Sequence, residues 1–270
     1  MRLENMILEN VKKMPPSGIR KYFDMVHEME GVISLGVGEP DFVTPWNVRE
    51  AGIYSLEKGH THYSSNAGFL ELRYEISRYL YRRFNLSYHP ENEILVTVGG
   101  SEGIDLALRA LVGPGDEVII PEPSFVAYKG CTTFTGATPK VIELKAENEF
   151  KLTKEELLEA ITPKTKVLIM PFPNNPTGAI MTKEELQEIV DVLKDKEIII
   201  ISDEIYAELT YQTQHVSIAS FPEVKDQTLV INGFSKAYAM TGWRLGYVCG
   251  HPILINAMKK IHQYAIMCSP

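Results

Sequence analysis

Four polar clusters in the sequence each follow an apolar run. Gly99-Gly100-Ser101 follows the run 94–98 and Asn174-Asn175-Pro176-Thr177-Gly178 follows 167–170. Asp203 follows 198–202, and Ser235-Lys236 comes shortly after 229–232. In an open sheet whose strands alternate with helices, ligands bind beyond the carboxyl ends of the strands. The four clusters are therefore expected at one end of one sheet, where their chemistry can converge.

Each cluster has a chemical reading and a plainer one. A glycine-rich turn opening a helix at Gly99-Gly100-Ser101-Glu102-Gly103 lets backbone N–H groups approach a phosphate, which the helix dipole favours. Read alone it is a strand-to-helix turn, since its spacing matches neither a dinucleotide fingerprint nor a P-loop. The stretch 174–178 is a turn by composition, and Asn175 is also able to donate its side-chain amide to a ligand oxygen. A carboxylate at the end of a buried strand is costly unless it meets a cation. Asp203 therefore suits a protonated ring nitrogen, with Tyr206 able to turn its hydroxyl to the same place. The plainer reading is an Asp that caps the next turn.

Lys236 lies among Gly233, Phe234, Ser235, Ala237 and Tyr238. A lysine in dry surroundings or near another cation becomes a usable nucleophile toward an aldehyde, although a lone lysine is more often a surface charge. Arg244 carries a fork of donors suited to phosphate. The ring of Phe125 suits stacking on a flat heterocycle and equally suits packing in a core.

The elements that must position these residues are legible in outline. Strands are expected at 93–98, 116–121, 138–144, 166–171, 197–202, 228–232 and 245–249, with a short one at 32–35. Helices are expected from about 101 to 111, from 153 to 161 and from 182 to 193. Thr153 with Glu156, and Thr182 with Glu185, have capping-box spacing. Strands that are apolar throughout, with helices between them, indicate an α/β fold built on a mainly parallel sheet covered on both faces.

Composition narrows the partners. The net charge is −8, with 44 % hydrophobic and 23 % charged residues, which is ordinary for a globular chain. No basic footprint suggests nucleic acid, and the longest apolar runs are of strand length, so no membrane span is expected. The first ten residues lack a signal-peptide core. Cys131, Cys249 and Cys268 have no metal-like spacing and read as reduced thiols of a cytoplasmic protein. His60 and His62 lack a third ligand nearby, so no metal site is expected.

The ordered set of motifs resembles the class I/II aminotransferases of fold type I. The matching segments are Gly36-Val37-Gly38-Glu39-Pro40-Asp41-Phe42, Tyr63 within His62-Tyr63-Ser64, Gly113-Pro114-Gly115-Asp116, Pro173-Asn174-Asn175-Pro176-Thr177-Gly178, Ser202-Asp203-Glu204-Ile205-Tyr206, Ser235-Lys236 and Thr241-Gly242-Trp243-Arg244-Leu245-Gly246. The resemblance implies a seven-stranded-type large domain, pyridoxal 5'-phosphate as cofactor, and transfer of an amino group between an α-amino acid and a 2-oxo acid. It also implies that Lys236 forms the Schiff base, that Asp203 pairs with the pyridine nitrogen, and that Tyr206 and Asn175 bond the ring's phenolic oxygen. Phe125 would stack on the ring. Arg244, Ser235 and the backbone at Gly100, Ser101 and Glu102 would hold the phosphate. Tyr63 would reach the phosphate of the neighbouring subunit of a homodimer, and Gly38 and Asn175 would lie beside the substrate carboxylate.

Two departures from the family pattern stand out. Gly233 occupies a position where a serine contacts the phosphate in well-studied members. The chain also stops at Pro270, where the family continues into a small C-terminal domain that supplies an arginine for the substrate carboxylate. The expected organisation is an arm with part of a small domain at 1–45 and a cofactor-binding large domain at 46–270, with the small domain largely absent. Such a chain is expected to bind the cofactor while lacking that arginine. A carbon–sulfur β-lyase on the same scaffold, and an idle cofactor-binding module, are the alternative readings. Acidic, aromatic and alanine-like amino donors all fit, the first two slightly better.

Overall fold

The structure, a computed structural model, describes residues 3–16, 31, 33, 38–211 and 213–270. The strand expected at 32–35 falls outside the described residues apart from Ile33, as do Gly36 and Val37. Among the described residues the helices are α1 (Glu9–Lys13), α2 (Trp46–Glu57), α3 (Leu70–Phe84), α4 (Gly99–Leu111), α5 (Ala127–Phe134), α6 (Lys154–Ala160), α7 (Lys183–Leu193) and α8 (Pro252–Ala265). The strands are β1 (Ile94–Thr97), β2 (Glu117–Glu122), β3 (Thr138–Glu143), β4 (Thr165–Met170), β5 (Ile199–Asp203), β6 (Thr228–Gly233) and β7 (Gly246–Cys249). None of these helices is long and apolar enough to cross a membrane.

The strands form one seven-stranded sheet in the order β1-β7-β6-β5-β4-β2-β3. All pairings from β6 to β3 are parallel. Strand β7 runs against both of its neighbours, β1 and β6, so β1 is parallel to β6. The carboxyl ends of β1, β4, β5 and β6 therefore share one edge, as the four polar clusters require. Because β7 is reversed, its amino end meets the same edge and delivers Arg244 there.

Both faces of the sheet are dry. Along β4, Val167 and Ile169 join the apolar layer with Ile104 and Leu108 of α4, while Leu168 and Met170 join the opposite layer with Leu186 and Ile189 of α7. A third cluster packs Ile76 and Leu80 of α3 against Val230 and Tyr247. The period of two along each strand decides which side every residue meets. In β5, Ile201 and Asp203 point to the α4 and α5 side, and Ile200, Ser202 and the following Glu204 point to the other.

Local signals set several helix limits. Thr153 and Thr182 both complete capping boxes, with Glu156 and Glu185 returning the bond to the cap residue. Helix α4 begins at Gly99, two residues before the sequence indication, because Gly99 takes a φ of +71° that favours glycine and turns the chain straight from the strand end into the helix. Strand β5 starts at Ile199 rather than 197 and includes Asp203 as its last residue.

Candidate active site

Asp203 is 7 % exposed at the end of β5. Its Oδ2 accepts a hydrogen bond from the Tyr128 hydroxyl at 2.8 Å, and its Oδ1 accepts from the Ile205 backbone N–H at 3.2 Å. The second contact is the turn-capping role that the plainer reading anticipated, so the residue serves both purposes. Burial pushes the carboxyl up to about 6, against the pull of the Tyr128 and Ile205 donors. Nearby Glu204 raises it further and Lys236 lowers it. A buried carboxylate so disposed is a ready partner for a protonated ring nitrogen.

Lys236 follows β6 and is half-buried. Its Nζ donates to the Gly38 carbonyl and lies 5.7 Å from the centre of the Tyr206 ring. Burial lowers the lysine below its ordinary value, and Arg244 acts in the same direction. Glu39 and Asp203 oppose them. The lysine's neighbours along the chain are uncharged, but its neighbours in space are not.

Tyr206 accepts from Asn175 Nδ2 at 3.4 Å. Burial and the Asp203 charge raise the Tyr206 hydroxyl, while the Asn175 donor lowers it. Gly38 meets this group closely, since a Cβ at that position would sit 3.2 Å from the Tyr206 hydroxyl oxygen. Asn174, by contrast, works within its turn: Nδ2 donates to Pro123 O at 3.2 Å, and Oδ1 accepts from Thr177 N and Oγ1. Phe125 packs edge-on against Tyr128, with ring centres 5.7 Å apart.

At the start of α4, the Arg244 guanidinium rests against the backbone. A Cβ on Gly99 would lie 2.5 Å from Arg244 Nη2, so only glycine admits this approach. The Arg244 backbone is itself left-handed at φ 55°, and its Nη1 donates to Thr241 O at 3.0 Å. Ser235 is buried beside Lys236, a Cβ on Gly100 would lie 3.4 Å from Ile231 Cγ2, and Ser101 is exposed at the helix start. Together these groups form a positively charged cradle of guanidinium and helix N–H groups, as a phosphate would need.

Gly38, Gly100, Ser101, Glu102, Phe125, Asn175, Asp203, Tyr206, Ser235, Lys236 and Arg244 thus lie along one edge of the sheet or touch residues there. Tyr63 does not join these hydrogen bonds, being 82 % exposed on the loop between α2 and α3. Reading the sequence missed Tyr128. The signal available was its position three residues after Phe125, but only the fold reveals that it points at Asp203. It also missed the ties that hold the 38–44 segment over the lysine. Thr241 donates to Glu39 Oε1 at 2.9 Å, Trp243 Nε1 donates to Thr44 Oγ1 at 3.1 Å, and Thr44 donates to Ala239 O at 2.6 Å.

An α/β sheet with a half-buried lysine, a buried carboxylate and a phosphate cradle at one edge defines the architecture of fold type I pyridoxal-phosphate enzymes. Residues 30–270 match the family model for aminotransferase class I and II, and the chain belongs to that family, whose members use pyridoxal phosphate. YugH of Bacillus subtilis, which carries an aminotransferase name, is 56 % identical over 96 % of this chain and 67 % of its own length. Aromatic-amino-acid aminotransferase 2 of Thermococcus litoralis is 40 % identical over 96 % of this chain and 67 % of its own length. The Thermus thermophilus aspartate aminotransferase with maleate superposes with a TM-score of 0.92 at 36 % identity, covering 97 % of this chain and 69 % of that one. The chain spans about two thirds of the length of these relatives.

Proposed function

We propose that this chain carries the cofactor-binding and proton-transfer groups of an aminotransferase that moves an amino group between an α-amino acid and a 2-oxo acid. The observation that carries the reading is the meeting of Lys236, Asp203 and Arg244 at one edge from three different strand ends. Bound there, pyridoxal phosphate would supply an electron sink for the pair left when the substrate Cα–H bond breaks. Lys236 would hold the cofactor aldehyde. Displaced from the aldehyde carbon by the substrate's amino group, Nζ would be a free amine whose lowered basicity suits it to take the Cα proton and return it one position along. Asp203 would keep a proton on the ring nitrogen, with Tyr128 fixing the carboxylate. Tyr206 and Asn175 would bond the phenolic oxygen, and Phe125 would cover the ring face. Arg244, Ser235 and the N–H groups of Gly100, Ser101 and Glu102 would hold the phosphate. Gly38 would leave room for the substrate carboxylate.

We further infer a cytoplasmic homodimer in which Tyr63 reaches the neighbouring phosphate. Helix α2 supports this reading, since it buries none of its residues and exposes Trp46, Ile53, Tyr54 and Leu56. Residues 46–270 are taken as the cofactor-binding large domain and 1–45 as an arm with part of the small domain. The relatives' names speak for amino-group transfer over β-elimination, and the donors they name include aspartate, aromatic amino acids and N-acetyl-LL-diaminopimelate.

Borohydride treatment of the protein with pyridoxal phosphate, followed by peptide mass mapping, tests the assignment. A pyridoxyl adduct on Lys236 is expected. Folded protein that yields no adduct there would overturn the reading.

A further inference from the structure

Helix α8 turns Ile255, Met258 and His262 inward, and it packs against α4. His262 is 0 % exposed. Its Nδ1 lies 2.7 Å from Glu102 Oε1, and the other oxygen of Glu102 accepts from the Val98 backbone N–H at 2.5 Å. Val98 is the residue immediately before α4. The carboxylate thus straps the strand end to the first turn of the very helix whose N–H groups line the phosphate cradle.

Two features make this more than packing. The Nε2 atom of His262 is buried and has no hydrogen-bond partner among the described residues. An unsatisfied polar atom is a standing cost that an apolar side chain would avoid, so the ring is kept for its Nδ1 contact. The second feature is electrostatic. A carboxylate in the first turn of a helix competes with an anionic ligand for the same positive end. Held between Val98 and His262, the Glu102 carboxylate has both oxygens engaged, Oε1 by α8 and Oε2 by the backbone just before α4. The N–H groups of the first turn then remain available to the ligand.

We propose that His262 is a positioning residue for the phosphate cradle, acting through Glu102 and the Val98 strap, an inference that rests on the cofactor reading above. Without its Nδ1 partner, the Glu102 carboxylate loses one of its two anchors and is free to turn toward the cradle, where it repels phosphate and loosens the turn. The effect acts on the phosphate alone. The aldehyde, ring nitrogen and phenolic oxygen are handled by Lys236, Asp203, Tyr206 and Asn175, which belong to other strand ends.

The test compares pyridoxal phosphate with pyridoxal, which lacks the phosphate, by equilibrium absorbance titration of the wild-type protein and the variants His262→Leu and His262→Asn. His262→Leu should weaken pyridoxal phosphate about tenfold and leave pyridoxal within about twofold. His262→Asn, whose amide can replace Nδ1 as donor, should recover most of the loss. If His262→Leu weakens both ligands equally or neither, the role of His262 is overturned while the cofactor reading stands. If wild-type protein binds the two ligands equally, the phosphate cradle and the role of His262 fall together.

Discussion

Asp203 and Glu204 are consecutive, both carboxylates and both buried, at 7 % and 1 % exposure. They face opposite sides of the sheet and meet opposite treatment. Glu204 is fully provided for: Ser202 and Ser217 donate to Oε1 at 2.8 and 2.6 Å, and His215 Nε2 lies 2.9 Å from Oε2. Asp203 has one hydroxyl and one backbone N–H, and among the described residues no cation in hydrogen-bond contact. A buried charge that is paired and bonded tells of structure, whereas one left short of a partner points to a ligand. The sheet edge thus keeps one carboxylate for the fold and offers the other to a cofactor.

The largest effect is expected from Asp203→Asn, which should cost on the order of a hundredfold in the rate of the half-reaction with an amino acid. The same change should stabilise the cofactor-free protein at neutral pH. Folded Asp203 holds its proton up to about 6, against 3.8 as its ordinary value. The folded state therefore binds more protons across that window, and stability falls as pH rises through it. Removing the group restores up to about 3 kcal/mol above the window and nothing below it. Thermal melts of both proteins across this range would check the sign, and a variant less stable at neutral pH would break the comparison.

Glu204→Gln should show the mirror image. Loss of the charge beside His215 and two serine donors should cost about 2 kcal/mol of stability, read by denaturant unfolding. Borohydride trapping at Lys236 should persist in the same variant. Smallest is Tyr128→Phe, which removes one donor from Asp203 at about 1 kcal/mol. The Asp203 carboxyl should then rise further, shifting the fall of apo stability to higher pH.

Much of the fold was legible because its signals are local. The seven strands of the sheet were expected within a few residues of where they lie, and both capping boxes formed as their spacing indicated. The cluster residues were legible for the same reason, each standing at the end of a readable strand. Helix α5 gave too little to read, since its eight residues hold a glycine and two threonines, which are weak helix formers. Tyr128 went unseen with it.

The sequence by itself determined the kinds of group available and the order in which the strands present them, because period and capping act within a few residues. It could not say that Tyr128 meets Asp203, that Arg244 lies on Gly99, or that His262 holds Glu102. Those contacts depend on the strand order and on the reversed β7, which bring distant segments within bonding distance. Burial, and with it the raised carboxyl and the lowered lysine, exists only once the helices have closed over the sheet.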